Sequence, residues 1–170
     1  MGEAALPQGR GMLGNRDASA ARLIALLLPL GLLGGALGSQ YLGGLHPCEM
    51  CYWQRWPHGA AILFAALAFT NPAASSRSRT FTLLAAAAIA VSGAIGVYHA
   101  GVEARVFEGF TTCTATGGLS LEDIMKVPLV RCDQVQWSLF GISMAGWNAI
   151  FSLSGAAVIA WLTLTARRAR

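Results

Sequence analysis

Polar and apolar positions divide this chain into long blocks. Residues 1–21 are polar and Gly-rich, and residues 22–44 are almost wholly apolar. A bilayer crossing takes about 20 residues, so 22–44 reads as a first transmembrane helix. A signal peptide cut near Ala36-Leu37-Gly38 is the rival, but the apolar run exceeds the usual signal-peptide stretch of about 7–15 residues. The blocks 80–100 and 141–165 are further crossings, the former with Gly93 and Gly96, small residues that permit close helix approach. Between them, residues 58–70 alone are too short to span. The crossing has to begin at Tyr52 and run to Thr70, so the segment just ahead of it sits at the membrane boundary. Pro57 is expected to kink this helix near its start.

The expected fold is an all-α membrane protein, a four-transmembrane-helix bundle in a single domain. Short connections at 45–51 and 71–79 and one long hydrophilic loop at 101–140 join the crossings, with tails at 1–21 and 166–170. Within the long loop, Ser120 to Val127 opens like a capping box and places Leu121, Ile124 and Met125 on one face, which predicts a short amphipathic helix on the membrane surface.

Composition agrees: 55% of the residues are hydrophobic and 12% charged, against about 25% charged in soluble domains. The charges also orient the bundle. Arg10, Arg16, Arg22, Arg77, Arg79, Arg167, Arg168 and Arg170 fall on the side of the termini, whereas Arg55, Arg105, Lys126 and Arg131 fall on the other. The excess puts both termini in the cytoplasm. The four cysteines, Cys48, Cys51, Cys113 and Cys132, then face outward, where disulfides persist. Trp53 and Trp56 suit the aromatic belt at the interface.

The candidate chemistry lies in Pro47-Cys48-Glu49-Met50-Cys51-Tyr52-Trp53-Gln54-Arg55-Trp56-Pro57-His58. A Cys-x-x-Cys pair at a helix start suits thiol–disulfide exchange, and Arg55, one turn past Cys51, favours its thiolate. Four cysteines allow three pairings. The short gap favours Cys48 with Cys51, leaving Cys113 with Cys132 and 18 residues between them. Zinc is disfavoured, since Cys113 and Cys132 each lack a close partner ligand. Two dithiols, one in a loop and one at a membrane helix, suggest an electron relay. With no haem or iron–sulfur pattern in the chain, a lipid-soluble quinone is the natural acceptor.

The Pro47–Pro57 motif, the four crossings, the second cysteine pair in the second outward loop and Gly141-Ile142-Ser143-Met144-Ala145-Gly146-Trp147-Asn148 together resemble the disulfide bond formation protein B (DsbB) family of bacterial inner-membrane thiol:quinone oxidoreductases. The resemblance covers about residues 22–165. It implies disulfide bond formation by reoxidation of a periplasmic, thioredoxin-like (DsbA-like) thiol oxidase. Cys113 would form the mixed disulfide with that partner, and Cys132 would exchange with Cys48. Cys51 would meet a non-covalently bound ubiquinone or menaquinone, Arg55 would stabilise the thiolate and the developing quinone anion, and His99 would stand near the quinone. The implied partners are the thiol oxidase, the quinone pool and the lipid bilayer, with no nucleic acid.

Other readings are a vitamin K epoxide reductase-like enzyme, whose Cys-x-x-Cys usually lies in a late helix, and a structural membrane protein with two inert disulfides. A transporter is disfavoured, as no ionisable residue falls mid-membrane. Arg55 has an alternative as a snorkelling side chain. His46 and His58 are read as having no role, and Asn148 as a bridge between helices.

Overall fold

The computed structural model describes residues 8–109 and 130–168. Cys113 and the amphipathic helix expected near 120–127 lie outside them. Four helices make up the body: α1 (Gln8–Tyr41), α2 (Glu49–Phe69), α3 (Ser76–Glu103) and α4 (Met144–Arg168). Helix α1 starts at Gln8, so its helical hydrogen bonding runs through the polar segment ahead of the apolar block. Helices α2 and α1 continue through Pro57 and Pro29.

A two-stranded antiparallel ribbon, β1 (Ser138–Leu139) and β2 (Ile142–Ser143), precedes α4, with Ser138 paired to Ser143 and Leu139 to Ile142. Its two-residue turn, Phe140-Gly141, has φ of 51° and 77°. Both values lie in the left-handed region, the geometry of a tight hairpin turn that matches strand twist. The last helix therefore begins at Met144 and not at Gly141.

Helix α2 packs mainly on α3, α3 on α4, and α1 on α4 and α2. Short connections at 42–48 and 70–75 make α1–α2 and α2–α3 antiparallel neighbours. The buried centre of the bundle is built from small side chains, Ala21, Ala25, Ala61, Ala65, Ala85, Ala86 and Ala156, around Ile89 and Ile159. Small residues let helix backbones approach closely where lipid offers little hydrophobic drive. Helices α3 and α4 approach closely at Gly96. A Cβ on Gly96 would lie 3.0 Å from the Ala145 carbonyl oxygen and 3.1 Å from the Ala149 nitrogen. At the far end from the cysteines, Arg22 of α1 donates to the carbonyls of Ala68 (3.4 Å) and Asn71 (3.0 Å), and its guanidinium lies over the Phe69 ring. A cation there satisfies the exposed carbonyls and negative dipole end of α2.

Among the described residues, three segments are long and apolar enough to cross a membrane: Gly14–Tyr41, Ser76–Glu103 and Met144–Ala166. Helix α2 is not among them, because its first turns carry Glu49, Gln54, Arg55 and His58.

Candidate functional site

The site starts at the cap of α2. Cys48 has extended backbone (φ −77°, ψ 173°), and its sulfur accepts the Cys51 backbone N–H at 3.4 Å. A cysteine thus fills the place usually taken by Ser, Thr, Asp or Asn. The cap turns Cys51 back over Cys48, and the two unbonded sulfurs lie 3.0 Å apart. Cys48 is buried with Met50, Val102 and Cys132, while Cys51 is part-exposed. The Cys48 thiol is held well above the usual cysteine range. The first cause is a side-chain hydrogen bond with Cys132, followed by one with Cys51 and then burial. The Cys48 and Cys51 sulfurs lie within hydrogen-bond reach of each other. Beside Cys132, Arg131 and Asp133 form a two-pronged surface pair at 2.8 and 2.6 Å.

Behind the cysteines runs a buried polar network whose hydrogen-bond directions are fixed by backbone carbonyls, which can only accept. The Gln54 Nε2 donates to Met50 O (3.2 Å) and to His99 Nδ1 (2.8 Å), so its Oε1 is the acceptor for Asn148 Nδ2 (2.7 Å). Asn148 Nδ2 also reaches Ser92 O at 3.2 Å, which leaves Asn148 Oδ1 as an acceptor for Ser152 Oγ (3.0 Å) and His58 Nε2 (2.9 Å). Ser92 Oγ donates to Gln54 O at 2.8 Å and lies 2.9 Å from His58 Nε2. Two tautomers follow. His99 accepts at Nδ1, so its proton is on Nε2, facing Cys48 Sγ at 3.5 Å and Glu103 Oε1 at 3.8 Å. His58 carries its proton on Nε2, so its Nδ1 is a bare acceptor.

Arg55 lies one turn beyond Cys51, but its guanidinium turns to α1. It donates to Gln40 Oε1 and to Ala36 O (3.1 Å), and it lies over the Tyr52 ring at 5.1 Å. These bonds hold α1 against α2 beside a cavity of about 820 Å³. Cys51, Arg55, His58, His99 and Asn148 line it on one side, Gly31 and Gly35 on the α1 side, and Trp137 and Phe140 at the ribbon end. A Cβ on Gly31 or Gly35 would meet nothing within 4 Å, so both face open space. Buried Arg55 Nε and His58 Nδ1 have no protein partner among the described residues. Glu103 Oε2, on another residue lining the cavity, is likewise buried without a partner among the described residues.

Metal is a poor fit. The ligand atoms of Cys48, Cys51 and His99 lie within 4.8 Å of one another. A metal would need the bare lone pair of His99 Nε2, and the Gln54 bond puts a proton there.

The sequence profile of the family described as "Disulfide bond formation protein DsbB" matches residues 18–162. The chain belongs to the DsbB family. Relatives named disulfide bond formation protein B include one from Methylococcus capsulatus (strain ATCC 33009 / NCIMB 11132 / Bath), 32% identical over 75% of this chain and 83% of the relative. One from Xanthomonas oryzae pv. oryzae (strain MAFF 311018) is 27% identical over 76% and 80%, and one from Marinobacter nauticus (strain ATCC 700491 / DSM 11845 / VT8) is 26% identical over 75% and 81%. No solved structure matches. As a DsbB-family membrane oxidoreductase, the chain serves disulfide bond formation.

Of the residues the sequence singles out in this DsbB-family chain, the structure brings together Cys48, Cys51, Cys132, Arg55 and His99. His99 touches Cys48, and not Cys51. The sequence reading gave no role to Gln54, Ser92 or His58. The available signal was spacing, since Gln54 and His58 share a face of α2 one turn apart, and His58 stands two turns below Cys51.

Proposed function

We propose that this chain is a protein-dithiol:quinone oxidoreductase of the bacterial inner membrane that reoxidises a periplasmic, DsbA-like thiol oxidase. In this reading α2 also crosses, as the second of four spans, both termini are cytoplasmic and the cysteines are periplasmic. The single observation that carries it is the cavity beside Cys51, walled by Arg55, His58 and Asn148 on one side and by bare glycines on the other. Ligand sites of this kind are mostly apolar pockets of about 300–1,000 Å³ with a few placed polar groups. A planar ring fits beside the bare Gly31 and Gly35 of α1, within reach of the part-exposed Cys51.

The residues then divide the work. Cys113 receives the partner's thiolate and forms the mixed disulfide, releasing Cys132. Cys132 attacks Cys48, and the close placement of their side chains favours that step. His99 holds Cys48 through its Nε2–H. Breaking the Cys48–Cys51 bond frees the Cys51 sulfur, which borders the cavity. Arg55, tied to Gln40 and Ala36, presents fixed positive charge next to it. A bound ubiquinone or menaquinone supplies a two-electron, two-proton acceptor. The partner's second thiolate would displace Cys113 and leave the partner oxidised, and Cys113 would attack Cys132 to re-form their disulfide and release Cys48. Closure of Cys48 and Cys51 into a disulfide, with two electrons and two protons given up to the acceptor, then restores the starting state.

The test is anaerobic quinone reduction driven by a reduced thioredoxin-like partner. Cys51→Ser abolishes it. Normal turnover in a folded Cys51→Ser protein would overturn the assignment.

A further inference from the structure

Electrons and protons reach the proposed acceptor by different routes. The electrons pass from sulfur to sulfur. The protons do not, because thiolates carry thiol–disulfide exchange, and the partner's thiols give their protons to water as they ionise. Opening the Cys48–Cys51 disulfide also releases its sulfurs as thiolates, so any proton they later give up has come in from water too. Two protons per turnover therefore have to enter the cavity from its aqueous side.

Among the described residues, few side chains of the cavity can carry them. The charged and titratable groups that line it are Cys48, Cys51, Arg55 and His58 of α2 and its cap, His99 and Glu103 of α3, and His46 of the loop ahead of the cap. Helices α1 and α4 and the ribbon add none. Cys48, His58 and His99 are buried, and the Glu103 side chain is only 9% exposed, beside His99. Arg55 does not give up its proton in proteins, and Cys51 is the reacting sulfur. His46 alone of the set is solvent-exposed, so it meets water and the cavity at once. Its polar neighbours on the cavity lining, Gln134 and Gln136, are exposed as well but do not titrate.

Histidine is the side chain whose ordinary chemistry is to take and give a proton near neutral pH. Pro47 restricts the backbone of His46 to extended conformations, and Cys48 is fixed as the cap of α2. The imidazole is thus tied by stiff chain two residues from the dithiol. A cavity of about 820 Å³ leaves room for water beside a bound ring, at about 30 Å³ per molecule.

We infer that His46 is the proton-entry residue of this site, taking protons from water on the side of the cysteines and passing them inward toward the ring. The inference rests on the quinone reading above. In each turnover the Cys48–Cys51 pair gives two electrons as its disulfide closes, two protons enter through His46, and the quinone leaves as hydroquinone. His46 ends the cycle in the protonation state in which it began.

The experiment uses the full-length protein in detergent with decylubiquinone and a reduced thioredoxin-like partner. With 15N-labelled histidine and both cysteine pairs oxidised, so that nothing turns over, the His46 resonance shifts when decylubiquinone is added. That resonance is assigned by its loss in His46→Ala. Rapid mixing then follows hydroquinone formation in a single turnover. His46→Ala slows it at least about tenfold, and imidazole added to the buffer restores it in proportion to its concentration. Reduction of the cysteine pairs by the partner without quinone keeps its wild-type rate, since exchange needs no proton entry. A wild-type rate in His46→Ala, a defect that imidazole does not relieve, or a His46 resonance that ignores the ring overturns the inference. So does an entry defect that appears in Glu103→Gln and not in His46→Ala. No reduction of decylubiquinone by the wild-type protein overturns the quinone reading, and the inference with it.

Discussion

Gln54 and His99 are joined by an amide-to-imidazole hydrogen bond of 2.8 Å, and its direction decides which ring nitrogen faces the cysteines. Because Gln54 donates, His99 turns an N–H toward Cys48 and acts on it as a donor, not as a base. The 15N shifts of His99 in selectively labelled protein should show a protonated Nε2 and a bare Nδ1. Gln54→Glu replaces the donor with an acceptor and should move a proton to Nδ1. A wild-type spectrum with the proton on Nδ1 would contradict the derived network.

Gln54→Leu removes both ends of the amide at once. It strands His99 Nδ1 and one proton of Asn148 Nδ2 in the interior. Each stranded group costs about 1–3 kcal/mol, so thermal unfolding in detergent should shift down by several degrees. An unchanged midpoint would mean that water replaces the amide.

The two glycine faces should respond in opposite ways. Gly96→Ala drives a Cβ against the Ala145 carbonyl and Ala149 nitrogen, which are backbone and cannot swing away, and against Asn148 Nδ2. Overpacking of this kind costs about 1–3 kcal/mol, more than the helix propensity of about 1 kcal/mol that alanine returns. Gly35→Ala meets open space and should leave stability unchanged or slightly raised. Unfolding midpoints of the two variants, compared side by side, check the contrast.

Gly35→Leu carries a larger side chain into the cavity from the α1 wall. Quinone reduction should fall at least about tenfold, about 1.4 kcal/mol, chiefly through a higher KM for quinone, while the melting point holds. Unimpaired quinone kinetics in a folded Gly35→Leu protein would place the quinone elsewhere.

Cys48, held above the usual thiol range first by Cys132, should resist alkylation as pH rises from about 7 to about 10, where a cysteine of ordinary pKa near 8.5 ionises. The sign for stability follows. In the unfolded chain this thiol loses its proton first, so the contribution of Cys48 is complete below the ordinary thiol range and falls progressively as pH climbs above it toward the raised folded value. Mass-spectrometric mapping of alkylated reduced protein reads the first effect. Rapid labelling of Cys48 at mildly alkaline pH would count against its hydrogen bonds to Cys132 and Cys51.

Hydropathy marked the apolar blocks within α1, α3 and α4, since burial in lipid acts on whole blocks of sequence, but not the start of α1 at Gln8 nor of α4 at Met144, and α2 falls short of its neighbours in apolarity. The Cys-x-x-Cys motif was legible because its chemistry is local. The polar network was not: Gln54 meets His99 and Asn148 at separations of 45 and 94 residues, and no local period announces such pairs. Arg55 was legible as a residue and not as a conformation, because the attraction of Gln40 and the Ala36 carbonyl appears only once α1 is folded against α2. The ribbon at Ser138–Ser143 escaped notice because two-residue strands leave too little alternation to read.

The polarity of α2 bears on how the protein is made. The helix that holds the dithiol lacks the apolarity of its three neighbours. Its Gln54 and His58 are sheltered by α3 and α4, its Arg55 by α1, and its C-terminal carbonyls by Arg22 of α1. During synthesis, α2 leaves the ribosome before α3 and α4 exist, with only α1 to receive it. The polar side chains Gln54 and His58 of α2 therefore find their partners only once α3 and α4 have been made.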